Sequence, residues 1–305
     1  MSVPVRHRLA PKPPLSPRVE TICVRVLRKC NLTCAHCWAG SSPHQTEELA
    51  AEEVLHFLKQ MARYGLKHVS VSGGEPFLYD ELSQVVLGCL EQGLFVTVTT
   101  NGLWGRRFAE LAERRGFPKD QRLRVRISLD GTQSVHDAIR GSGSYEQAIE
   151  AVVSARRRQG WIGVNTVVVP GVYGCLEALL VEVRDLQVDD WALIAPLPKG
   201  SYQGKGMDSD SVREAVSGTL GCQERIGFAG RIRFWDFQVR EYGHLVLESD
   251  GRILMPGFTE ATDRSLGDFR TVNFAHLQQA VAQDAAAHRE EFYSWRGWSV
   301  STPEG

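Results

Sequence analysis

Hydrophobic and polar positions follow two alternating patterns along the first 200 residues. Short β-branched runs, typical of buried strands, recur at intervals of about 30 residues. Between them, apolar residues return every three to four positions, as in helices that pack one face on a sheet. The predicted strands are 22–27, 68–72, 94–99, 122–129, 161–169 and 191–197, and the predicted helices are 46–64, 81–92, 108–115, 144–158 and 176–186.

This order predicts an α/β fold, because strands that alternate with helices form parallel sheets with the helices outside. Ser144 to Gln147 reads as a capping box that begins one of these helices. Polar motifs follow the predicted strands directly, at Cys30, Gly73, Asn101 and Asp130. Barrel enzymes place their chemistry at this carboxyl end, where several strands converge. We therefore expect these motifs to meet in one site.

The rest of the chain differs in composition. Residues 1–20 are rich in proline and basic residues and predict an extended arm. Residues 200–206 are rich in glycine and predict a flexible linker or lid. Strands are predicted at 231–239 and 245–255, the second interrupted by a hairpin turn at 249–252, and a helix at 274–287. The chain thus divides into an arm (1–20), a core (21–199) and a small C-terminal α+β extension (200–305).

Composition excludes several classes of protein. The formal net charge of the 305 residues is −1, which provides no overall attraction for nucleic acid or an anionic membrane. No apolar stretch reaches the 18 residues that suggest a membrane span, and the first twenty residues lack the apolar core of a secretory signal. Seven cysteines without an export signal indicate a reducing compartment. We predict a cytoplasmic protein that binds neither nucleic acid nor membrane.

Cys30, Cys34 and Cys37 form a C-x3-C-x2-C motif directly after the first predicted strand. Three thiolates within eight residues favour a soft metal. A structural zinc site usually has four protein ligands, often from two C-x2-C pairs, and no second pair exists here. His36 is a poor fourth ligand because it is adjacent to Cys37. The motif therefore fits a four-iron cluster in which one iron has no protein ligand.

Gly73, Gly74, Glu75 and Pro76 form a G-G-E-P motif after the second predicted strand. With both motifs in this order, the chain resembles the radical S-adenosylmethionine (SAM) superfamily over residues 20–200. The C-N-L-x-C-x-H-C sequence is most similar to the branch that contains the molybdenum-cofactor cyclase, the pyrroloquinoline-quinone pathway enzyme and the peptide- or sulfatase-modifying enzymes. The resemblance implies a partial (βα)6 barrel related to the TIM barrel.

The resemblance also implies cofactors and contacts. One [4Fe–4S] cluster would bind to the three cysteines, and SAM to the open iron. Glu75 would accept from the SAM ammonium group and Arg140 would pair with its carboxylate. Trp38 and His36 would shield the cluster. A flavodoxin- or ferredoxin-type donor would supply electrons to this oxygen-sensitive site. The implied SAM contacts are Gly73, Gly74, Glu75, Pro76, Thr100, Asn101, Ser128, Asp130, Arg140 and Asn165. For Asn101 and Asp130, an ordinary turn role stays open.

The extension resembles the family's segment for auxiliary clusters, but with a departure. Gly257 stands where the family has a cysteine, and no cysteine follows Cys222. We therefore expect one cluster and a redox-neutral reaction of a small metabolite, nucleotide or sugar in cofactor or natural-product biosynthesis. The alternatives are modification of a ribosomal peptide and, in another class, a non-catalytic iron–sulfur or zinc redox sensor. Weaker candidates for the substrate pocket are Tyr202, Trp235, Asp236 and Gln238.

Overall fold

The computed structural model describes residues 19–114, 116–158, 160–205, 208–236 and 244–287. Residues 1–18 of the predicted N-terminal arm and Gln238 lie outside these ranges. Ten strands form one sheet. Their bounds are β1 Thr21–Leu27, β2 His68–Gly73, β3 Phe95–Thr100, β4 Leu123–Ser128, β5 Trp161–Val167, β6 Asp190–Ile194, β7 Arg231–Trp235, β8 His244–Leu247, β9 Arg252–Met255 and β10 Arg264–Asp268.

The sheet has the order β10-β9-β8-β1-β2-β3-β4-β5-β6-β7. Strands β1 to β6 each pair in parallel with the next strand along the chain, and β8 pairs in parallel with β1 on its other side. Only β9 and β10 are antiparallel additions. The predicted α/β class is confirmed. The strands of the predicted extension belong to the same sheet as those of the core, and the division at residue 199 stays a prediction.

Helices connect the strands as the apolar periodicity requires. In α1, the buried positions Val54, Phe57, Leu58 and Met61 recur at helical spacing and pack on the sheet. In the described ranges, no helix is long and apolar enough to cross a lipid bilayer. The helices are α1 Ala51–Arg63, α2 Leu82–Glu91, α3 Phe108–Arg114, α4 Gln133–Arg140, α5 Ser144–Arg156, α6 Leu176–Asp185, α7 Ser209–Ile226 and α8 Phe274–Ala287.

Two helices, α4 and α7, were not predicted from the sequence. Helix α4 spans eight residues and buries only His136, so it has no apolar stripe to detect. Helix α7 contains two glycines, Gly218 and Gly221, which disfavour helix. Its sequence signal is the N-cap Asp208, whose carboxylate accepts from the backbone N–H groups of Asp210 and Ser211. This helix completes the sixth strand–helix unit of the partial barrel.

The predicted capping box at Ser144 is wrong. Gly143 precedes the helix in the left-handed conformation, with φ of 78°, and the Ser144 hydroxyl donates to the carbonyl of Gly141 at 2.6 Å. The cap comes instead from the preceding helix. The Asp137 carboxylate accepts from the N–H groups of Gly143 at 3.0 Å and Tyr145 at 2.9 Å. A short-range sequence pattern could not reveal this contact because the acceptor lies on another helix.

Candidate functional site

A cavity of about 250 Å³ lies at the carboxyl ends of the strands, where the sequence placed the site. Ten of the thirteen predicted site residues line it: Cys30, Cys34, Cys37, Gly73, Gly74, Thr100, Asn101, Ser128, Arg140 and Asn165. The other three, Glu75, Pro76 and Asp130, do not line it and are buried beside it. The topology thus brings the motifs of five strands to one place.

The two glycines of the G-G-E-P motif let β2 end directly against the cysteine loop. The Gly74 N–H donates to the Leu27 carbonyl at 2.8 Å, and the Glu75 N–H donates to the Lys29 carbonyl at 2.9 Å. Gly73 has φ of 136°, a region that other residues rarely occupy. A Cβ on Gly74 would lie 1.9 Å from the Lys29 carbonyl oxygen. Any side chain at either position would therefore displace the loop.

Burial controls the thiols of the cysteine loop. It raises the pKa of Cys30 to about 12 and also raises the pKa of Cys34. Polar groups approach both sulfurs: Asn101 Nδ2 lies 3.7 Å from Cys30 Sγ, and Arg140 Nη1 lies 3.9 Å from Cys34 Sγ. Coordination to a metal would stabilise the thiolates despite burial.

The spacing of the three thiols bears on which metal group they fit. Across the described ranges, no three His, Cys, Asp or Glu side chains are arranged to hold a single metal ion. In a four-iron cluster each thiolate binds a different iron, so its sulfurs lie further apart than the ligands of one ion. All three thiols nevertheless line one cavity. A cluster that binds all three thiolates fits this common cavity.

Glu75 connects the ends of two strands. Its side chain is fully buried, and burial raises its pKa although the hydrogen bonds oppose the shift. Its carboxylate accepts from the Phe77 N–H at 3.0 Å, the Thr100 hydroxyl at 2.7 Å and the Asn101 N–H at 2.8 Å. The carboxylate therefore holds Asn101 in place beside the cysteines. The predicted contact between Glu75 and SAM stays a prediction.

Asp130 organises the cationic side of the site. Its Oδ2 accepts from Arg140 Nε and lies 2.6 Å from His36 Nε2, while Oδ1 accepts from the Val167 N–H at 2.7 Å. Burial alone would raise the pKa of Asp130, but Arg140 and His36 hold it well below its usual range. Arg140 is in turn fixed with its guanidinium beside Cys34. Asp130 thus has more than the turn role that the sequence left open.

His136 is a buried group whose protonation opposes folding. Its Nδ1 accepts from the Asp130 N–H at 3.0 Å, and its Nε2 is buried without a hydrogen-bond partner in the described structure. Burial, together with the charge of Arg140, lowers the pKa of His136 to about 4.

A neutral His136 makes stability depend on pH. As pH falls from 6.5 towards 4, the unfolded chain binds a proton on this imidazole that the folded chain does not bind. We expect this group to lower the free energy of unfolding by up to about 3 kcal/mol over that range. The variant His136→Gln keeps a hydrogen-bond acceptor but does not titrate. Urea unfolding of wild type and of this variant measures the effect as the difference between the slopes of their unfolding free energies against pH. Equal slopes would contradict it.

Two polar groups that line the cavity have no protein partner. The Ser128 hydroxyl and the Asn165 Nδ2 form no hydrogen bond within the described ranges, whereas Asn165 Oδ1 accepts from Arg126 Nη1 at 2.8 Å. Donors that face a cavity in this way are suited to a polar ligand.

Sequence reasoning missed Arg25 and Lys199, which flank Trp38 beside the last cysteine. Arg25 lines the cavity, pairs with Glu248 at 2.8 Å and lies 4.6 Å from the centre of the Trp38 ring. Lys199 is 1% exposed, pairs with Asp263 and lies 5.4 Å from the same ring. For Arg25 a signal existed, since an arginine at an alternate position of an apolar strand faces the barrel interior.

The segment after β6 was predicted to be a flexible linker or lid, and its described residues pack on the cysteine loop. Residues Gly200–Tyr202 form a 3-10 turn on the cysteine loop, where the Ser201 N–H donates to the Cys37 carbonyl at 2.9 Å. A Cβ on Gly200 would lie 2.3 Å from that carbonyl oxygen. The three described candidates for the substrate pocket, Tyr202, Trp235 and Asp236, do not line the cavity.

Comparison with known proteins decides the family. The model of the radical SAM superfamily matches residues 24–179, just over half of the chain. The chain belongs to the radical SAM superfamily. This family uses a [4Fe–4S] cluster and SAM.

Two curated relatives illustrate the range of enzymes to which the radical SAM chain is similar. The chain is 31% identical over 191 residues to the pre-heme d1 synthase of Dinoroseobacter shibae. This alignment covers 61% of this chain and 46% of that protein. It is 33% identical over 141 residues to the mycofactocin maturase MftC of Mycobacterium tuberculosis. That alignment covers 46% of this chain and 35% of that protein. The chain thus spans less than half the length of these curated relatives.

A solved structure of the family shares the fold. SuiB of Streptococcus suis, solved with SAM bound, has a TM-score of 0.70 at 16% identity, covering 94% of this chain and 70% of that chain. The same protein has also been solved with its precursor peptide SuiA. The fold likeness confirms the predicted partial TIM-like barrel of radical SAM proteins.

Proposed function

We propose that this chain is a radical SAM enzyme that removes a hydrogen atom from a small substrate in a redox-neutral reaction. One observation carries the proposal: three cysteines of one loop line the same cavity as the Gly73–Gly74 turn, Asn101 and Arg140. The cluster and SAM, when bound, supply an electron and a 5′-deoxyadenosyl radical that takes hydrogen from the substrate.

The protein's own residues would bind, orient and exclude water. Cys30, Cys34 and Cys37 would hold the cluster, and the bare backbone at Gly73 and Gly74 lets a ligand approach closely. Arg140 presents a fixed cation for a carboxylate. The Ser128 hydroxyl and the Asn165 Nδ2 offer unfilled hydrogen-bond positions to the nucleoside or substrate.

The extension would cover the cysteine loop and exclude water from it. The Gly257 N–H donates to Asp263 Oδ1 at 2.7 Å, and the same carboxylate binds Lys199. A Cβ on Gly257 would lie 2.3 Å from the Thr262 carbonyl oxygen, so this position has no room for a cysteine. The proposal therefore includes a single cluster and a redox-neutral reaction. It also includes a flavodoxin- or ferredoxin-type electron donor and a cytoplasmic location.

The test uses anaerobically reconstituted protein with SAM and a reductant. Wild type should contain about four irons per chain and release 5′-deoxyadenosine. Cys34→Ser should lose iron and reduce this release at least a hundredfold, because one ligand of the cluster is gone. Cys222→Ser is the matched control, since Cys222 lies on α7 against Arg225 and away from the cavity. Release that is undetectable in wild type would favour a redox sensor.

A ribosomal peptide is the second candidate substrate. The solved complex of SuiB with its precursor peptide and the similarity to the maturase MftC favour it. Faster release of 5′-deoxyadenosine with a peptide than with any small molecule would support this candidate.

A further inference from the structure

Three arginines converge on a single buried carboxylate inside the barrel. Asp190, the first residue of β6, is 1% exposed and pairs with Arg126 of β4. Arg231 Nε donates to Asp190 Oδ2 at 2.6 Å, and Arg233 Nη2 donates to Asp190 Oδ1 at 2.8 Å. In the part of the chain that the structure describes, none of the three arginines pairs with another carboxylate. Among the described residues, the cluster therefore has two positive charges in excess.

Strand register builds this cluster. Arg126, Gly163, Asp190 and Arg231 are register partners on β4, β5, β6 and β7, so they form one row on the interior face of the sheet. A Cβ on Gly163 would lie 2.9 Å from Arg126 Cζ. The glycine therefore leaves the space in which Arg126 crosses β5 to reach Asp190. A side chain at Gly163 would have to displace the Arg126 side chain or the Trp161 ring.

The next row connects the cluster to the cavity. Ser128, Asn165, Ala192 and Arg233 are register partners on the same four strands. Ser128 and Asn165 line the cavity, and Ala192 projects only a methyl group. Arg233 lies two strands from Asn165, a distance of about 10 Å, which a guanidinium side chain and a small ligand can bridge. Arg126 also contacts Asn165 directly, through Nη1 at 2.8 Å.

The cluster is open to solutes on one side. Strand β7 is at the edge of the sheet formed by the described residues, and the side chains of Arg231 and Arg233 are 60% and 29% exposed. Trp235, in the row above, has its ring centre 5.3 Å from Arg233 Cζ. An edge strand that presents two arginines and a tryptophan to the interior provides charge and a flat apolar surface together.

The excess charge is costly without an anion. Burial, and then the nearby charges of Arg233 and Arg231, lower the pKa of Arg126 to about 10 although Asp190 opposes this. The repulsion is strongest at the buried Arg126 and is partly screened by water at the more exposed Arg231 and Arg233. A second carboxylate or a phosphate would relieve the repulsion, and planar guanidinium groups bind such oxyanions through two parallel hydrogen bonds.

We propose that the substrate is a small molecule with a carboxylate or phosphate group, and that Arg231 and Arg233 bind this group. The bound anion would direct the rest of the substrate along the interior row towards Asn165 and the cysteine-lined cavity. This inference rests on the proposed function, because it assigns the substrate class of the same site. Arg231 and Arg233 are then specificity-determining residues, and Asp190 is the carboxylate with which the bound anion competes for them.

Binding of simple anions tests the proposal on cluster-loaded, full-length protein without SAM. The probes are inorganic phosphate and succinate, and sodium chloride at equal ionic strength is the reference salt. Each is titrated into the protein, and the thermal unfolding midpoint is measured. At least one probe should raise the midpoint of wild type by several degrees more than chloride does. Arg233→Gln should weaken that binding at least tenfold. Which probe binds more tightly identifies the anion as a phosphate or a carboxylate.

Arg225→Gln is the matched control. Arg225 is 63% exposed and pairs with Glu177 on the outer helices, so its loss should leave anion binding unchanged. Asp190→Asn should strengthen anion binding, in contrast to Arg233→Gln, because it removes the competing carboxylate and frees the three arginines. Should this variant fail to fold, the comparison of Arg233→Gln with Arg225→Gln decides alone.

Two results would overturn the proposal. One is that neither anion stabilises wild type more than chloride, which would leave the arginines as supports for Asp190 only. The other is that an acidic peptide binds through Arg233 while neither small anion does. Because these measurements need no SAM, they are independent of the proposed function. Absence of 5′-deoxyadenosine release would contradict the function and leave the anion site standing.

Discussion

Gly74→Ala is expected to destabilise the protein by at least about 3 kcal/mol and to prevent iron binding. The added methyl group would lie 1.9 Å from the carbonyl oxygen of Lys29 and 2.8 Å from that of Arg28. Both are backbone atoms, so no side-chain rotation relieves the clash. The cysteine loop must move away from β2, which also breaks the hydrogen bond from the Gly74 N–H to the Leu27 carbonyl.

Urea unfolding and iron per chain after anaerobic reconstitution measure this effect. Gly218→Ala, the same change on the exposed face of α7, is the control, since a Cβ there meets nothing within 4 Å. It should stabilise the protein by up to about 1 kcal/mol, because alanine favours helix. Wild-type iron content in Gly74→Ala would show that the loop can bind its cluster without the close contact to β2.

Asp130→Asn is expected to cost about 3 to 5 kcal/mol, because it leaves Arg140 as a buried charge without its partner. Both oxygens of Asp130 accept hydrogen bonds, one from Val167 and the other from Arg140, with His36 beside it. The amide NH2 of asparagine must therefore face a donor whichever way it turns. We also expect weaker iron binding, because Arg140 and His36 would lose the anchor that holds them beside the cysteine loop.

The pH for this test follows from the sign of the shift. The pKa of Asp130 is lowered in the folded protein, so its contribution is complete above the pKa of the unfolded chain and is lost only in strong acid. Urea unfolding at pH 7 therefore measures it fully. Asp185→Asn is the control, since Asp185 is 62% exposed in a surface pair with Arg184 and should change little. A similar decrease in the free energy of unfolding in both variants would contradict the proposed role of Asp130.

Much of the fold was predictable because local patterns and the final structure agree. The β-branched runs at 68–72 and 94–99 became β2 and β3 with nearly the same bounds, and 274–287 became α8. The motifs were found for a similar reason, since Cys30 and Gly73 follow strands whose ends meet in any parallel barrel. The spacing of the cysteines indicated a four-iron cluster, and the family resemblance added SAM as the second cofactor.

What the sequence could not provide are contacts between distant residues. The Glu75 carboxylate accepts hydrogen bonds from Thr100 and Asn101 at the end of the next strand, and a one-dimensional pattern does not reveal these contacts. The arginine cluster depends on the register of β4 to β7, and a shift of one residue would turn Arg126 to the other face of the sheet. Lys199 was hidden because its partner Asp263 lies 64 residues further along.

The separation between Cys34 and Arg140 has a consequence during synthesis of the chain. These residues are 106 positions apart, although their side chains meet in the finished site. At a translation rate of about 5 to 20 residues per second, the cysteines leave the ribosome about 5 to 20 s before Arg140 does. During that interval the nascent chain carries the three thiols without α4 and Arg140 beside them. The complete site is therefore available to iron only after α4 has been synthesised.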